Sequence, residues 1–354
     1  MEAVGGSVRR PRSGPKKSRM PPHEIERIVE PFAEDLAQVE RAMRAGIRSV
    51  APLVPEIAEH TFASGGKRIR PLLVLLSARL CGYRGPRAVQ IAMAAEYLHS
   101  ASLLHDDVVD GAATRRGQPS ANARFGERLA VLVGDFLYAI TCRTLVEDGD
   151  QDILASFADT ISAMAEGEVL QLQQSFDPEM SESMYLEVIG RKTSSLLATG
   201  CEAGATLGNV TRAERRALRS FGWELGLAFQ LVDDALDYVG DGAELGKAPF
   251  TDLAEGKVTL PLLLTLKRCS VAERDYITSV LKTLTRCAET GDAPDRDEMA
   301  RVAECVKRWN GAETALQRAD GRASAARVRI ETFVDCEAKR ALDALTYFVV
   351  RRRS

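Results

Sequence analysis

The seven cysteines (Cys81, Cys142, Cys201, Cys269, Cys287, Cys305 and Cys336) contain no C-x-x-C pair. An odd, dispersed set suits reduced, buried thiols in a cytosol-like compartment better than a disulfide framework. No histidine or thiolate spacing suits zinc. Long apolar runs are also missing: nothing approaches the roughly 20 residues of a membrane span, and Glu96 and His99 interrupt the nearest stretch, 91–104. Neither sign of charge is in excess. With 47 Lys and Arg against 50 Asp and Glu, the net charge is −3, so the whole-protein field favours neither nucleic acid nor an anionic membrane. Any anionic ligand must be held by a local basic cluster. Strand signals are nearly absent, since alternating β-branched runs between Asn-Gly or Asp-Gly turns do not recur.

What is present is helical. Of 354 residues, 45% are hydrophobic and 27% charged, an ordinary soluble composition. Ala, Leu, Glu, Arg and Gln in helical periodicity predict helices over 23–48, 50–60, 68–81, 86–109, 128–147, 151–175, 181–207, 212–239, 257–268, 271–289, 297–309 and a broken 312–350. Thr211 with Glu214 and Ser270 with Glu273 fit capping boxes. Residues 1–22 carry Arg9, Arg10, Arg12, Lys16, Lys17 and Arg19 among Gly and Pro, which reads as a disordered basic tail. A transit peptide or surface anchor is the other reading of that tail, so an organellar setting stays open beside a cytoplasmic one. Residues 351–354 read as a solvated basic end. Between them, 23–350 form one domain with no linker or repeat.

Two acidic clusters stand out. Asp106, Asp107 and Asp110 end an apolar helix, with Asp106 and Asp110 on one face and Asp107 on the flank. Asp233, Asp234 and Asp237 repeat the pattern near the end of a second helix. Carboxylates at a helix C-terminus oppose the macrodipole and repel one another, so a cation is expected to compensate. All-oxygen ligands suit Mg²⁺, which is held by one or two carboxylates plus substrate phosphates. Gly65-Gly66-Lys67-Arg68-Ile69-Arg70-Pro71 supplies cations where a helix begins, a natural anion site. Arg115 and Arg116 follow the first acidic cluster, and arginine forks fit phosphate. His99 lies two turns before Asp106, while Lys192, Thr193, Lys247 and Lys257 could close the cavity.

In order along about 45–270, these motifs resemble the trans-isoprenyl diphosphate synthases, or polyprenyl synthetases. Gly134-Asp135-Phe136-Leu137, Glu166-Gly167-Glu168 and Gly256-Lys257-Val258-Thr259-Leu260-Pro261 complete the set. The resemblance implies an all-α, single-domain isoprenoid synthase bundle around a deep central cavity, and a homodimer. It implies that Asp106, Asp110 and Asp233 ligate magnesium, with Asp107, Asp234 and Asp237 in support. Lys67, Arg70, His99 and Arg116 would bind isopentenyl diphosphate. Arg115, Lys192, Thr193, Gln230, Lys247 and Lys257 would serve the allylic diphosphate. The reaction would be ionisation of the allylic C–O bond, attack by the alkene of isopentenyl diphosphate, and proton loss.

Product length in this family follows the residues below the first aspartate, where aromatic side chains give short products. Here Ser102 and Ala101 stand four and five positions before Asp106, with Leu98 and Ala94 deeper. These small residues predict a long-chain enzyme, of octaprenyl to decaprenyl size, serving quinone side chains and touching a membrane peripherally on product release. The alternatives are a farnesyl- or geranylgeranyl-type short-chain synthase, a terpene cyclase and a non-catalytic synthase subunit. The complete aspartate motifs speak against the last, and the second diphosphate site speaks against the cyclase.

Overall fold

A computed structural model describes residues 30–63, 68–239 and 250–351. The basic tail, Lys67, Lys247 and residues 352–354 lie outside that set. A 3₁₀ turn, Glu30–Phe32, leads into α1 (Ala33–Gly46). Then come α2 (Leu53–Ala63), α3 (Ile69–Leu80), α4 (Arg87–Val109), α5 (Ala121–Phe125), α6 (Glu127–Asp148), α7 (Gln151–Gln173) and α8 (Glu182–Ile189). A π-helical turn, Gly190–Ser194, joins α8 to α9 (Ser195–Leu207). The rest is α10 (Arg212–Val239), α11 (Thr251–Ala254), α12 (Leu260–Leu266), α13 (Val271–Thr290), α14 (Arg296–Arg308), α15 (Gly311–Ile330) and α16 (Glu337–Arg351).

The all-α expectation holds, and the differences have local causes. A two-stranded hairpin, β1 (Thr114–Arg115) with β2 (Gln118–Pro119), turns through Arg116 and Gly117. Both have positive φ, 50° and 76°, as a tight type I′ hairpin turn requires. The short helix α5 was not expected; the Ser120 hydroxyl caps it by accepting from the Ala123 N–H. The helix expected from 257 begins only at Leu260, because Pro261 belongs in a first turn. The expected 312–350 helix is broken between Ile330 and Glu337. Both capping boxes form: Ser270 and Glu273 exchange side-chain and backbone bonds, and so do Thr211 and Glu214.

Three apolar clusters hold the bundle. One joins α4, α6 and α7, a second surrounds α10 and α12 to α15, and a third ties α3, α9, α10 and α16. α4 is apolar on every face over most of its length, and such a helix belongs in the interior. Ile91, Leu98 and Leu104 are fully buried, each contributing about 1.5–3 kcal/mol by burial. The small residues of α9 serve close packing. A Cβ on Gly204 would stand 2.3 Å from the Val74 carbonyl oxygen of α3, so only glycine lets these helices approach so closely. α6 is the described helix long and apolar enough to cross a membrane, in place of the stretch at 91–104. It packs along α4 instead, with Leu132 and Val146 left exposed. All seven cysteines are free; Cys142, on α6, is exposed rather than buried.

Candidate active site

α4 ends at the first acidic cluster, where Asp110 is the C-cap and its N–H donates to the Asp106 carbonyl at 2.8 Å. Asp106 and Asp110 both line a cavity of about 230 Å³, as one-turn spacing requires. Asp107 turns away, 3% exposed, and is gripped by Arg115, whose Nε donates to both carboxylate oxygens at 2.8 and 3.0 Å. Asn122 donates to the Asp107 carbonyl. Asp107 therefore anchors the hairpin, and its partner Arg115 also reaches the cavity wall. Burial pushes the Asp106 carboxyl up to about 6; Lys192 opposes this, while Glu168 and Asp110 add to it. Lys192 sits 4.0 Å from Asp106 and in closer contact with Glu168.

The second cluster lies on α10 and divides its labour. Asp234, 3% exposed, accepts from the Tyr185 hydroxyl at 2.5 Å and from Gln230 Nε2 at 2.7 Å. Gln230 Oε1 in turn accepts from the Thr193 hydroxyl at 2.9 Å. This chain of bonds fixes Thr193 in the π turn against α10. Burial holds the Asp234 carboxyl well above the usual range, and Asp252 reinforces the shift. Asp237 is also buried and accepts from the Asp252 N–H. Asp233 is the partly exposed member, and its charge acts on Arg70 and Arg116.

Lys257 bridges the two ends of the site. Its ammonium donates to Asp110 at 2.9 Å and to Glu255 at 2.6 Å. Burial alone would lower its pKa, but Glu255 and Asp110 outweigh burial and hold it raised. Opposite, Arg70 sits in the first turn of α3 and His99 on α4, both half-buried. Burial, together with Arg70, Arg115 and Arg116, drives the His99 imidazole well below its ordinary pKa. Burial also lowers Arg116, and neighbouring Arg115 lowers it further.

The positions expected to set product length precede Asp106 on α4 and are not in the cavity's lining. Ala94, Leu98 and Ala101 are fully buried, in one apolar cluster with Ala130, Val133 and Leu137 of α6. Ser102 is half-buried, its hydroxyl bonded to the His99 carbonyl at 2.8 Å. Leu103 is the apolar α4 residue in the cavity wall, facing Met180, Tyr185, Val188 and Ile189. Tyr185, Asp252, Glu168 and Glu255 were not among the expected site residues. For Tyr185 a signal existed, since it stands seven residues, two helical turns, before Lys192.

The donors are carboxylate oxygens beside ammonium and guanidinium groups, the chemistry of a hard divalent cation shared with a phosphate. Among the described residues no three His, Cys, Asp or Glu side chains form a ready-made metal cage. Residues 51–332 match the family model for polyprenyl synthetases. The chain belongs to that family. The match runs past residue 270, where legible motifs end, through α14 and α15. An octaprenyl diphosphate synthase of Haemophilus influenzae is 37% identical over 337 residues, covering 95% of this chain and 99% of that protein. The polyprenyl synthase of Caulobacter crescentus CB15, solved with calcium and isoprenyl diphosphate, superposes with a TM-score of 0.89 at 38% identity. It covers 96% of this chain and 100% of that one. A decaprenyl diphosphate synthase from Rhodobacter capsulatus gives a TM-score of 0.86 at 35% identity, covering 93% and 99%. This polyprenyl synthetase thus has full-length relatives, and both structures share its all-α fold.

Proposed function

We propose that this polyprenyl synthetase is a long-chain all-trans polyprenyl diphosphate synthase, a prenyltransferase adding isopentenyl diphosphate units to an allylic diphosphate. The observation that carries the reading is one cavity mouth with Asp106 and Asp110 on one wall and Lys192, Thr193, Gln230 and Lys257 around it. The names of full-length relatives, octaprenyl and decaprenyl diphosphate synthases, support the product class.

Asp106, Asp110 and Asp233 would hold magnesium, which when bound neutralises charge on the departing diphosphate. Lys192, Arg115 and Lys257 hold the allylic diphosphate and stabilise negative charge as the C–O bond ionises. Arg70, His99 and Arg116, with Lys67, hold isopentenyl diphosphate so that its alkene faces the allylic carbon, and proximity supplies much of the rate. Leu103, Val188 and Ile189 exclude water that would trap the cation. The proton lost afterwards passes to the released diphosphate, so no side-chain base is required.

The active unit is proposed to be a homodimer. Leu132 and Val146 on α6 and Val169 and Leu172 on α7 are exposed apolar side chains, more than half accessible, and a second copy would cover them. Peripheral membrane contact is proposed for release of the long apolar product, and quinone side chains are its proposed use.

The test is chain-length analysis of products made by the purified protein from farnesyl or geranylgeranyl diphosphate with isopentenyl diphosphate and magnesium. Octaprenyl to decaprenyl products are expected, abolished by chelator and restored by magnesium. Products that stop at geranylgeranyl length would overturn the long-chain reading. Turnover without isopentenyl diphosphate would overturn the synthase reading itself.

A further inference from the structure

Two arginines of the basic cluster hold left-handed backbone conformations: Arg68, at φ 47° and ψ 39°, and Arg116, at φ 50°. For a residue with a Cβ this conformation is strained and persists only where the surroundings over-determine it. At Arg68 the surroundings are explicit. Nη1 donates to Glu96 Oε1 at 2.7 Å, Nε to Glu40 Oε1 at 3.2 Å, and Nη2 to the Phe62 carbonyl at 3.0 Å. One guanidinium thus ties α1, the end of α2 and the middle of α4 to the residue that starts α3. Arg70 follows two residues later.

Glu96 is the key partner. It is 5% exposed, one turn before His99 on an otherwise apolar helix, where a lone carboxylate would be costly. Its charge acts on Arg68, Arg70 and Arg116. It is therefore a buried anion amid a cluster of cations that would otherwise repel one another. The position also explains why Arg68 is an arginine: three directed N–H bonds from one plane are beyond a lysine.

We propose that Glu96, acting through Arg68, is a positioning residue for the second diphosphate site. It fixes the entry of α3, aims the Arg70 guanidinium and balances the cluster's charge until a diphosphate enters. This rests on the assignment of Arg70, His99 and Arg116 to isopentenyl diphosphate made above.

The test is steady-state kinetics with each substrate varied, on Glu96→Gln, Arg68→Gln, the double variant and Arg70→Ala, beside their melting temperatures. Glu96→Gln should raise KM for isopentenyl diphosphate on the order of tenfold, the worth of a hydrogen bond to a charged group. KM for farnesyl diphosphate should not move. The double variant should be no worse than Arg68→Gln alone, because the two residues act as one unit. An unchanged KM for isopentenyl diphosphate, a rise in both KM values that tracks a lowered melting temperature, or additive effects in the double variant would each overturn the proposal. Arg70→Ala separates the two levels. If it leaves that KM unchanged, the site assignment fails and the inference with it. If it raises that KM while Glu96→Gln does not, the inference alone fails. Should Glu96→Gln not fold, Arg68→Lys keeps the charge without the planar fork and carries the same expectation.

Discussion

Tyr185 makes one hydrogen bond that matters. Its hydroxyl is the outer end of the chain through Asp234 and Gln230 to Thr193. Burial, with the Asp234 charge beside it, holds the phenol far above its ordinary pKa, so it stays a donor. Tyr185→Phe removes that donor and leaves a buried carboxylate oxygen short of a partner, at a cost of about 1–3 kcal/mol. The expected outcome is a lower melting temperature together with a slower single-turnover rate, because Thr193 loses its fixed support. An unchanged rate with lowered stability would show that the chain only stabilises. At this scale the acidic motifs were legible from their spacing, while Arg115 and Lys192, which join them in the cavity wall, were pointed to by the resemblance. The Tyr185–Asp234 pair and Asp252 were not legible: Tyr185 and Asp234 are 49 residues apart, and only packing of α8 on α10 joins them. Nor was it legible that Asp107 and Asp234 would each be held in hydrogen bonds, with Asp234 still in the cavity wall.

At the scale of the element, the α13 capping box can be tested against pH. The Ser270 hydroxyl and backbone N–H hold the Glu273 carboxyl below the usual range. Its folded pKa lies below its unfolded value of about 4.3, so its stabilisation is complete above that value. It is lost as pH falls through the folded pKa. In Glu273→Gln, melting temperature should sit below that of the parent at pH 7, and the gap should close in acid. A gap that stays constant with pH would show that charge plays no part. α4 offers a second test. Ala101 is fully buried, so Ala101→Phe should shorten the product, with overpacking costing about 1–3 kcal/mol. Unchanged product length in a folded variant would show that the chain passes elsewhere, along the Leu103 side. The two helices with capping boxes were legible because side chains announce their starts. The π turn was not, since its shifted bonding follows from how α8 and α9 meet α10, and the Arg116-Gly117 hairpin was too short to have a strand pattern.

For the whole molecule, the proposed pairing of two copies predicts a particle of twice the chain mass by size exclusion with light scattering. Leu132→Lys with Val146→Lys should convert it to monomers without unfolding, because both side chains are exposed within one chain. A variant that remains dimeric would place the interface on another face. The all-helical architecture was legible from the absence of strand patterning and the all-round apolarity of α4. What joins its ends was less so. Lys257 meets Asp110 across 147 residues, a closure between the end of α4 and the turn before α12 that no local signal announces.

The π turn carries a further consequence, for spectroscopy. The chain has two tryptophans, Trp223 and Trp309. Trp309 donates its indole N–H to Glu273, in the capped start of α13. Trp223 packs directly on Gly190, the first residue of the turn that presents Lys192 and Thr193. In a Trp309→Phe background the remaining indole is a built-in reporter. Its emission is expected to follow the turn proposed to grip the leaving group, so that ligand arrival could be timed in the unlabelled protein.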